Sequence, residues 1–372
     1  LSAKEIVGNE SQERMGIVIR EEDIEHIRQI ADRERAPFYV VGETTGDHRF
    51  VFEQTDGVKP IDLAMEDMFG KAPRTVMTDR TVEETYEDVT YDQTQLDEYV
   101  ERVLQLEAVA CKDWLTNKVD RSVTGKIARQ QCQGEIQLPL SDCGVVALDY
   151  RGRAGIATSI GHAPQAALVD PAAGSVLSIA EALTNIVWAP LSEGLDSVSL
   201  SANWMWPCKN EGEDARLYRA VEACSDFACS LGINIPTGKD SLSMTQKYGK
   251  DKVYSPGTVI ISAGAEVSDI RKVVSPVLRT GIDSTVYYID FSFDKLKLGG
   301  SAFAQSLDKI GKEVPTVQDS EYFANAFNAV QELINKELIL AGHDISAGGM
   351  ITTMLEMNFA NTEGGLEVSL DE

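Results

Sequence analysis

The segment from Gly161 to Pro190, GHAPQAALVDPAAGSVLSIAEALTNIVWAP, constrains the fold of this chain more than any other. Asp170 can cap a helix that Pro171 opens, because the first helical turn leaves its N–H groups unpaired and proline lacks only such a group. The segment is rich in alanine, glycine and serine, so its backbone can lie close to a neighbouring element. The sequence therefore predicts a closely packed helix that starts at Pro171.

Glu181 and Asn185 lie four residues apart in this helix, which sets both side chains on one face. A carboxylate and an amide oxygen that point the same way are ligands suited to Mg²⁺, which in proteins usually shares such ligands with a phosphate. The alternative is a polar helix face that only meets water. The spacing alone favours that alternative, because polar pairs four residues apart are common on helices.

The composition is that of an acidic globular protein with more than one domain. The 372 residues include 34 Lys and Arg against 59 Asp and Glu, which gives a net charge of −25. At roughly 150 residues per domain, this length predicts two or three domains. The negative charge repels nucleic acid and anionic membranes, so we expect neither as a partner. An anionic substrate would need a local basic or metal-filled pocket.

The six cysteines form no CxxC pair and show no zinc-ligand spacing, which is typical of reduced thiols in a cytosolic protein. No apolar run is long enough to cross a bilayer, and no basic segment followed by an apolar one opens the chain. We therefore expect a cytoplasmic protein. The chain begins without methionine and stops within a polar segment, which indicates a piece of a longer protein.

Hydrophobic periodicity predicts further helices and short strands, and therefore an α/β (α+β) protein. The additional helices cover residues 22–34, 93–106, 213–231, 322–335 and 346–359. The strands cover residues 17–19, 38–41, 50–52, 123–128, 145–148, 198–202, 233–235, 258–263, 285–293 and 338–340. Residues 112–119 are predicted as a strand and a loop.

The order of these elements divides the chain into four regions. Residues 1–56 are the tail of an α+β domain, residues 57–91 a linker, residues 92–278 a large domain and residues 279–372 the start of a further domain. The last region opens in an order that resembles the first, and it supplies the half that the first lacks. The sequence therefore indicates a duplicated protein cut across two repeats.

Two further loops carry residues suited to metal or phosphate chemistry. Asp142 stands in SDCGVVALDY, at a bend before a buried strand, where α/β folds collect ligands; a turn-capping aspartate is the alternative. In AGHDISAGGM, Asp344 follows a strand, Ser346 caps a helix, and the glycines permit close backbone approach to an anion. We interpret His343 as a neutral turn histidine. The sequence indicates no Ser–His–Asp or Cys–His arrangement, so we expect no nucleophilic catalysis.

Several motifs occur in the order that they have in one enzyme family: GNESQERM, KPIDLAMEDMFGKAP, DRSVTGKIARQQCQG, SDCGVVALDY, EALTN, LSANWMW, IPTGKDSLSM and HDISAGGM. They cover nearly the whole chain, which resembles the central part of the large phosphoribosylformylglycinamidine synthases. This resemblance implies tandem domains of the aminoimidazole ribonucleotide synthetase type, whose mixed sheets pair into a barrel-like core with helices outside. It also implies an ATP-dependent ligase that takes ammonia from glutamine and converts formylglycinamide ribonucleotide to the amidine in purine biosynthesis.

The resemblance implies roles for seven residues through their positions in these motifs, and none of the roles is catalytic. Three residues resemble contacts to ATP or ADP, namely Lys112, Ser141 and Ser346. Four resemble ligands of Mg²⁺, namely Asp142, Glu181, Asn185 and Asp344. A cation held by such oxygen ligands would neutralise the charge of a polyphosphate that the acidic chain otherwise repels.

Other motifs of the family are missing from this sequence. It has no glycine-rich GGEIRD-type segment, no catalytic histidine region and no glutaminase part. We therefore expect a fragment that holds an auxiliary Mg–ADP site and is inactive alone. Its partners would be small-molecule nucleotides and the missing N-terminal, first-unit and glutaminase domains of the same chain. The alternatives are a non-catalytic nucleotide-binding scaffold and a small-molecule phosphate kinase of the same superfamily, although such kinases have only one unit.

Overall fold

The computed structural model describes the whole chain except residues 1, 4, 6, 7, 11, 12, 117, 119–124 and 370–372. The chain separates into two compact units, residues 1–76 and residues 77–372. This division falls inside residues 57–91, which we predicted as a linker. The domain boundaries drawn from the sequence remain predictions.

The first unit is small, and most of its side chains are exposed. A 3₁₀ turn, Glu21–Asp23, leads into helix α1 (Ile24–Arg33). Strands β1 (Arg49–Phe52) and β2 (Ile61–Ala64) pair antiparallel, and the short helix α2 (Met65–Phe69) follows. The structure thus confirms one helix and one strand that hydrophobic periodicity predicts for this region.

Two other strands predicted for the first unit are wrong. Residues 17–19 and 38–41 lie outside every sheet in the described part of the chain. A strand is stable only beside a neighbour that pairs with its backbone N–H and C=O groups, and an apolar pattern alone does not supply that neighbour. The two segments therefore stay irregular.

The second unit opens with a segment that is fixed to a later helix. The carboxylate of Asp79 accepts hydrogen bonds from the backbone N–H groups of Gly212 (3.2 Å) and Asp214 (3.0 Å). A 3₁₀ turn, Gln93–Gln95, then leads into helix α3 (Leu96–Leu104), as predicted. Helix α4 (Asp113–Thr116) corrects part of the strand and loop predicted for residues 112–119, because Asp113–Thr116 form one helical turn. Residues 117 and 119 of that prediction lie outside the described residues.

The remaining elements are ten strands and six helices, with 3₁₀ turns at Gly194–Ser197 and Ile270–Lys272. In chain order they are β3 (Ile127–Arg129), β4 (Cys132–Gln133), β5 (Leu138–Pro139), β6 (Gly144–Ala147), β7 (Gly155–Gly161), α5 (Pro164–Val169), α6 (Pro171–Ile186), β8 (Ser199–Met205), α7 (Glu213–Ser230), β9 (Asn234–Ser241), β10 (Thr245–Tyr248), β11 (Asp251–Tyr254), β12 (Thr258–Val267), α8 (Ala302–Ser306), α9 (Ser320–Asn335) and α10 (Gly349–Phe359).

Six of these strands form one mixed sheet in the order β3-β6-β7-β12-β8-β9. Every neighbouring pair is antiparallel except β8 and β9, which are parallel. The predicted α/β class and most predicted strands of this unit are confirmed. The predicted strands at residues 285–293 and 338–340 are wrong, because both segments are irregular.

The sequence did not reveal β7, although this strand lies near the middle of the sheet. Its side chains alternate strictly between buried and exposed, and the four buried positions are Gly155, Ala157, Ser159 and Gly161. Because these residues are small, the strand shows almost no hydrophobic periodicity. Their small size is what allows a helix to pack closely on this face.

Helix α6 is that helix, and it packs on β7 and β12 beside α7. The carboxylate of Asp170 accepts a hydrogen bond from the N–H of Ala172 over 2.9 Å, so the predicted cap and the predicted start at Pro171 are confirmed. The hydroxyl of Ser159 donates to the carbonyl of Ala182 over 2.6 Å. Strand and helix are therefore joined by a side-chain hydrogen bond as well as by apolar contact.

Helix α9 packs against α7 and against the 3₁₀ turn Gly194–Ser197. Phe323 and Phe327 are fully buried in the main hydrophobic cluster. The amide of Gln331 donates to the carbonyl of Ala189 over 3.0 Å and accepts from the N–H of Leu191 over 2.8 Å. This buried glutamine fixes the chain that leaves α6, because each of its contacts satisfies a backbone group.

The six-stranded sheet is open in the described residues, with edges at β3 and β9. The face opposite α6 exposes apolar side chains, among them Ile156 and Ile160 of β7. The barrel-like core expected from the family resemblance therefore remains a prediction. Among the helices that the structure describes, none has the length and apolar character needed to cross a bilayer.

Candidate functional site

Three segments of the second unit, one of which is α6, bring acidic residues together. Asp142 stands directly before β6, Glu181 lies in α6, and Asp344 lies in the loop before α10. Gly161 at the end of β7 makes this approach possible, because a Cβ at that position would overlap the α6 backbone at Ser178. The helical turn that carries Glu181 consequently lies directly against the strand.

The loops of Asp142 and Asp344 are in direct contact. The backbone N–H of Asp344 lies 3.4 Å from Oδ2 of Asp142, and the hydroxyl of Thr353 donates to the carbonyl of Asp344 over 2.9 Å. Both aspartate side chains are only 4% exposed. Two carboxylates are thus held close together and away from water.

His343 fills the space among these carboxylates. Its Nδ1 lies 2.7 Å from Oδ1 of Asp142 and 3.3 Å from Oδ1 of Asp344. Its Nε2 lies 3.1 Å from Oε2 of Glu356, a residue of α10. The imidazole side chain is 7% exposed, so it belongs to the interior of the site.

The charge of His343 differs from the sequence interpretation. Burial by itself lowers the pKa of His343, but the surrounding carboxylates of Asp142, Asp344 and Glu356 outweigh burial and raise that pKa to about 12. Our interpretation of a neutral turn histidine is therefore wrong. A divalent cation that enters among these carboxylates competes with the histidine proton.

The carboxyl groups of the site resist ionisation. Burial raises the pKa of Glu181 to about 8, and the charges of Asp344 and Asp142 add to the effect. Burial also raises the pKa of Asp142 to about 7, again with a contribution from Asp344, while His343 acts in the opposite direction. These shifts indicate more negative charge than the side chains around it neutralise.

Two buried atoms of the site have no hydrogen-bond partner among the described residues. They are Nδ1 of His343, which is close to Asp142 but not in hydrogen-bond geometry, and Oδ2 of Asp344. Donor atoms of Asp142, His343 and Asp344 all lie within 4.8 Å of one another. Because an unpaired buried polar atom is costly, these residues fit a divalent cation that would satisfy them.

Asn185 lies one turn after Glu181 in α6 and is almost fully buried. Its amide nitrogen donates to the carbonyl of Ile160 over 2.9 Å, which ties α6 to the end of β7. This bond uses the nitrogen of the amide and not its oxygen. Asn185 therefore has a structural contact, and its role as a metal ligand remains a prediction.

Of the three predicted nucleotide contacts, two make hydrogen bonds to backbone carbonyls and the third is exposed. Nζ of Lys112 donates to the carbonyl of Ala110 over 2.9 Å, and Oγ of Ser141, the residue before Asp142, donates to the carbonyl of Gln130 over 2.8 Å. Ser346 is exposed in the loop that follows Asp344. Their roles toward a nucleotide remain predictions.

The predicted start of the helix at Ser346 is wrong. Helix α10 starts at Gly349, and Gly348 takes the N-cap position with a φ of 96°, a conformation that favours glycine. Ser346 instead accepts a hydrogen bond on its carbonyl from the N–H of Gly349 over 3.0 Å. The Gly348–Gly349 pair thus bends the chain sharply between Asp344 and α10.

Sequence reasoning missed the contribution of Glu356 altogether and misjudged His343. Glu356 is thirteen residues from its partner in the sequence, and nothing local marks it as part of a site. His343 directly precedes a predicted ligand, and that adjacency could have indicated its position. Its contact with Asp142, which lies 201 residues earlier in the chain, depends on the tertiary fold.

Comparison with known proteins connects this chain with one enzyme family. Residues 111–266 match the family described as FGAR-AT PurM_N-like domain, and residues 285–372 match AIR synthase related protein, C-terminal domain. Phosphoribosylformylglycinamidine synthase of Dictyostelium discoideum is 37% identical over 387 residues, covering 100% of this chain and 28% of the relative. The Homo sapiens protein of the same name is 38% identical over 382 residues, covering 98% and 28%.

The solved structure of T. maritima PurL complexed with ATP shares the fold, with a TM-score of 0.50 and 16% sequence identity. The match covers 74% of this chain and 40% of that one. A mixed sheet under α6 and α7, together with the two matched regions, defines the class of proteins built from AIR synthase-related domains. Within that class, this chain belongs to the phosphoribosylformylglycinamidine synthase family and spans 28% of the length of the Dictyostelium and human relatives.

Proposed function

We propose that this chain is part of a ligase that converts formylglycinamide ribonucleotide to formylglycinamidine ribonucleotide with ATP and glutamine, and that this part holds an auxiliary Mg–ADP site. The observation that carries the proposal is the buried group of carboxylates at Asp142, Glu181 and Asp344, with the pKa of Asp142 raised to about 7 and that of Glu181 to about 8. The relatives named phosphoribosylformylglycinamidine synthase and the fold shared with an ATP complex of PurL support it.

Each predicted residue has one task in this proposal. Asp142, Glu181 and Asp344, with the amide oxygen of Asn185, hold the Mg²⁺. The cation supplies the positive charge that lets the phosphates of ADP approach an acidic site. Three residues on the surrounding loops contact the nucleotide, namely Lys112, Ser141 and Ser346.

The proposed role is auxiliary because this chain carries none of the glycine-rich, catalytic-histidine or glutaminase motifs that the family resemblance implies elsewhere. We propose that N-terminal, first-unit and glutaminase domains supply those functions in the cytoplasm of the cell. The large domain, residues 92–278, and the further domain, residues 279–372, then form one synthetase-like unit around the site.

The exposed sheet face supports the barrel-like arrangement that we propose for the complete protein. Ile156 and Ile160 project from β7 on the face opposite α6, and Ser262 of β12 is also exposed. An apolar sheet face of this kind is stabilised when a second sheet covers it. We propose that a related unit of the same protein supplies this second sheet, because a duplicated domain would present the equivalent face.

A calorimetric titration of ADP into the purified chain, with and without Mg²⁺, tests the proposed site. We expect Mg²⁺-dependent binding that Glu181→Gln abolishes, because the substitution removes a carboxylate ligand and keeps the shape of the side chain. Glu193→Gln is the matched control, since Glu193 is exposed outside the site and its substitution leaves binding unchanged. Equal ADP binding by the wild type and Glu181→Gln would contradict the proposal.

A second experiment separates the auxiliary role from independent catalysis. We expect the chain by itself to leave a purine-auxotrophic strain, one without phosphoribosylformylglycinamidine synthase, unable to grow without purines. Growth would show that the chain is catalytic alone. If the full-length protein retains full activity and stability with Glu181→Gln, the site serves neither role, and the scaffold alternative fails together with the auxiliary one.

A further inference from the structure

His343 has no task in the four-oxygen metal site proposed above, yet it lies at the centre of that site. Its side chain is 93% buried, since only 7% is exposed, and three carboxylates surround it. A histidine that served only to pack would not need to meet three carboxylates in the interior. The contacts of each ring nitrogen indicate a more specific role.

The Nδ1 atom of His343 lies at distances from two aspartate oxygens that are typical of ligands of one metal ion. It lies 2.7 Å from Oδ1 of Asp142 and 3.3 Å from Oδ1 of Asp344. Two ligands that bind one ion at about 2.1 Å and at right angles lie about 3.0 Å apart. The two observed separations bracket that value, so Nδ1 is placed to share one cation with either aspartate oxygen.

The other ring nitrogen has a separate partner. Nε2 lies 3.1 Å from Oε2 of Glu356, a residue of α10. Histidines that bind metals typically donate their second N–H to a carboxylate, which fixes the tautomer and aims the free nitrogen at the ion. Glu356 has the position for that task.

Two buried atoms without hydrogen-bond partners also indicate a cation beside His343. Nδ1 of His343 and Oδ2 of Asp344 are both buried and lack a hydrogen-bond partner among the described residues. Both belong to the set of donor atoms that lie within 4.8 Å of one another. A cation among them would satisfy both atoms.

We infer that His343 is a nitrogen ligand of the proposed metal site and that Glu356 is its positioning residue. The inference rests on the proposed site and changes its selectivity. Mg²⁺ prefers oxygen ligands, whereas imidazole nitrogen suits first-row transition metals. The site therefore takes a cation such as Mn²⁺ more tightly than Mg²⁺.

Pulsed electron paramagnetic resonance of the purified chain loaded with Mn²⁺ alone tests this inference. We expect modulation from a directly coordinated ¹⁴N nucleus. Selective labelling with ¹⁵N-histidine then replaces the ¹⁴N pattern by that of ¹⁵N, which identifies a histidine ligand without any substitution. His343→Gln removes the pattern, while His162→Gln, at an exposed histidine, keeps it.

The outcomes distinguish the inference from the proposal on which it depends. Mn²⁺ that binds in an Asp142-dependent manner without histidine coupling overturns the nitrogen ligand and leaves the oxygen site intact. Mn²⁺ binding that is unaffected by Asp142→Asn overturns both. A coupling that persists in His343→Gln shows that another nitrogen is the ligand and also overturns the inference.

Affinity measurements test Glu356 independently. Loss of a residue that orients a metal-bound histidine typically weakens metal binding by about 10- to 100-fold. We expect Glu356→Gln to lower Mn²⁺ affinity by about this factor and to change Mg²⁺ affinity less, with exposed Glu363→Gln as the control. An equal loss for both cations would indicate a merely structural role for Glu356 and would overturn this part of the inference.

Discussion

Asp142 and Asp294 are similarly buried aspartates in the same unit, with side chains that are 4% and 7% exposed. Burial raises the pKa of both groups, yet that of Asp142 rises to about 7 and that of Asp294 falls to about 2. Asp294 has Nζ of Lys297 at 2.8 Å and the N–H of Thr316 at 3.0 Å. Asp142 instead faces a second carboxylate, that of Asp344.

This difference separates a structural carboxylate from one that we propose as a metal ligand. The chain itself supplies the counter-charge and the donors for Asp294, so that aspartate stabilises its loop without help. Around Asp142 the chain supplies one imidazole against several carboxylates. A buried group of like charges raises the free energy of the folded state unless an opposite charge compensates it. A bound cation would supply that charge.

The largest expected effect is on ligand binding. Asp142→Asn should weaken Mg²⁺-dependent ADP binding by about 100-fold or more, because it removes a charged ligand while preserving side-chain volume. Calorimetry measures the change. Asp294→Asn should leave the affinity within about twofold of the wild type, and a comparable loss in both variants would erase the distinction between the two aspartates.

For the free energy of unfolding we expect the reverse: substitution of Asp294 has the larger effect and substitution of Asp142 the smaller. Asp294→Ala leaves Lys297 and the N–H of Thr316 without their acceptor, and we expect it to lower the free energy of unfolding by about 2 kcal/mol. Asp142→Asn removes like-charge repulsion, so without metal it should be neutral or stabilising. Chemical denaturation in the presence of a chelator measures both. Destabilisation of the chelated protein by Asp142→Asn would show that Asp142 is a structural residue.

The pH dependence of stability provides a third contrast. The pKa of Glu181 rises from 4.5 in the unfolded chain to about 8, so between these values the folded state holds a proton that the unfolded state has lost. Stability therefore falls as the pH rises through this range. We expect the melting temperature to drop by about 5 °C between pH 5 and pH 8 with a chelator present, and Glu181→Gln to reduce that drop.

The pKa shift of Asp294 has the opposite sign to that of Glu181, and so does its effect on the pH dependence of stability. Its pKa is lowered from 3.8 to about 2, so its contribution is present above pH 3.8 and is lost as the pH falls toward 2. Asp294→Asn should flatten the acid side of the stability profile and leave the range from pH 5 to pH 8 unchanged. A drop above pH 5 that depends on Asp294 rather than on Glu181 would contradict the assignment.

The smallest effect concerns the helix that carries Glu181. Asp170→Ala removes the cap on the N–H of Ala172 and should cost about 1 kcal/mol of unfolding free energy. Asp170→Asn is the matched control, because asparagine caps helices equally well. Thermal unfolding compares the two variants, and a similar loss in both would assign the effect to the contact of Asp170 with Arg219 at 3.4 Å instead of the cap.

The fold was predictable wherever local chemistry determined it. Asp170 and Pro171 fix the start of α6, and alternating or periodic apolar residues located α9, β8 and β12. The sequence did not reveal β7, because its buried residues are too small to show a pattern. Residues 285–293 were predicted as a strand from their apolar character, but strand formation depends on a partner that no local pattern can specify.

The site was predictable only in part, and for a related reason. The family resemblance pointed to Asp142 and Asp344, which the fold brings into contact, and to Glu181, whose pKa responds to both. Glu356 was missed because its partner His343 lies one loop and two helical turns away. Its importance arises from the approach of α10 to the site, which is a property of the tertiary structure.

Anomalous diffraction from crystals grown with Mn²⁺ and ADP tests the central claim most directly. The account predicts a Mn²⁺ peak bounded by the carboxylates of Asp142, Glu181 and Asp344, with the phosphates of ADP beside it. A Mn²⁺ peak only at exposed acidic residues, with this group of carboxylates unchanged, would contradict the claim that the buried carboxylates form a metal–nucleotide site.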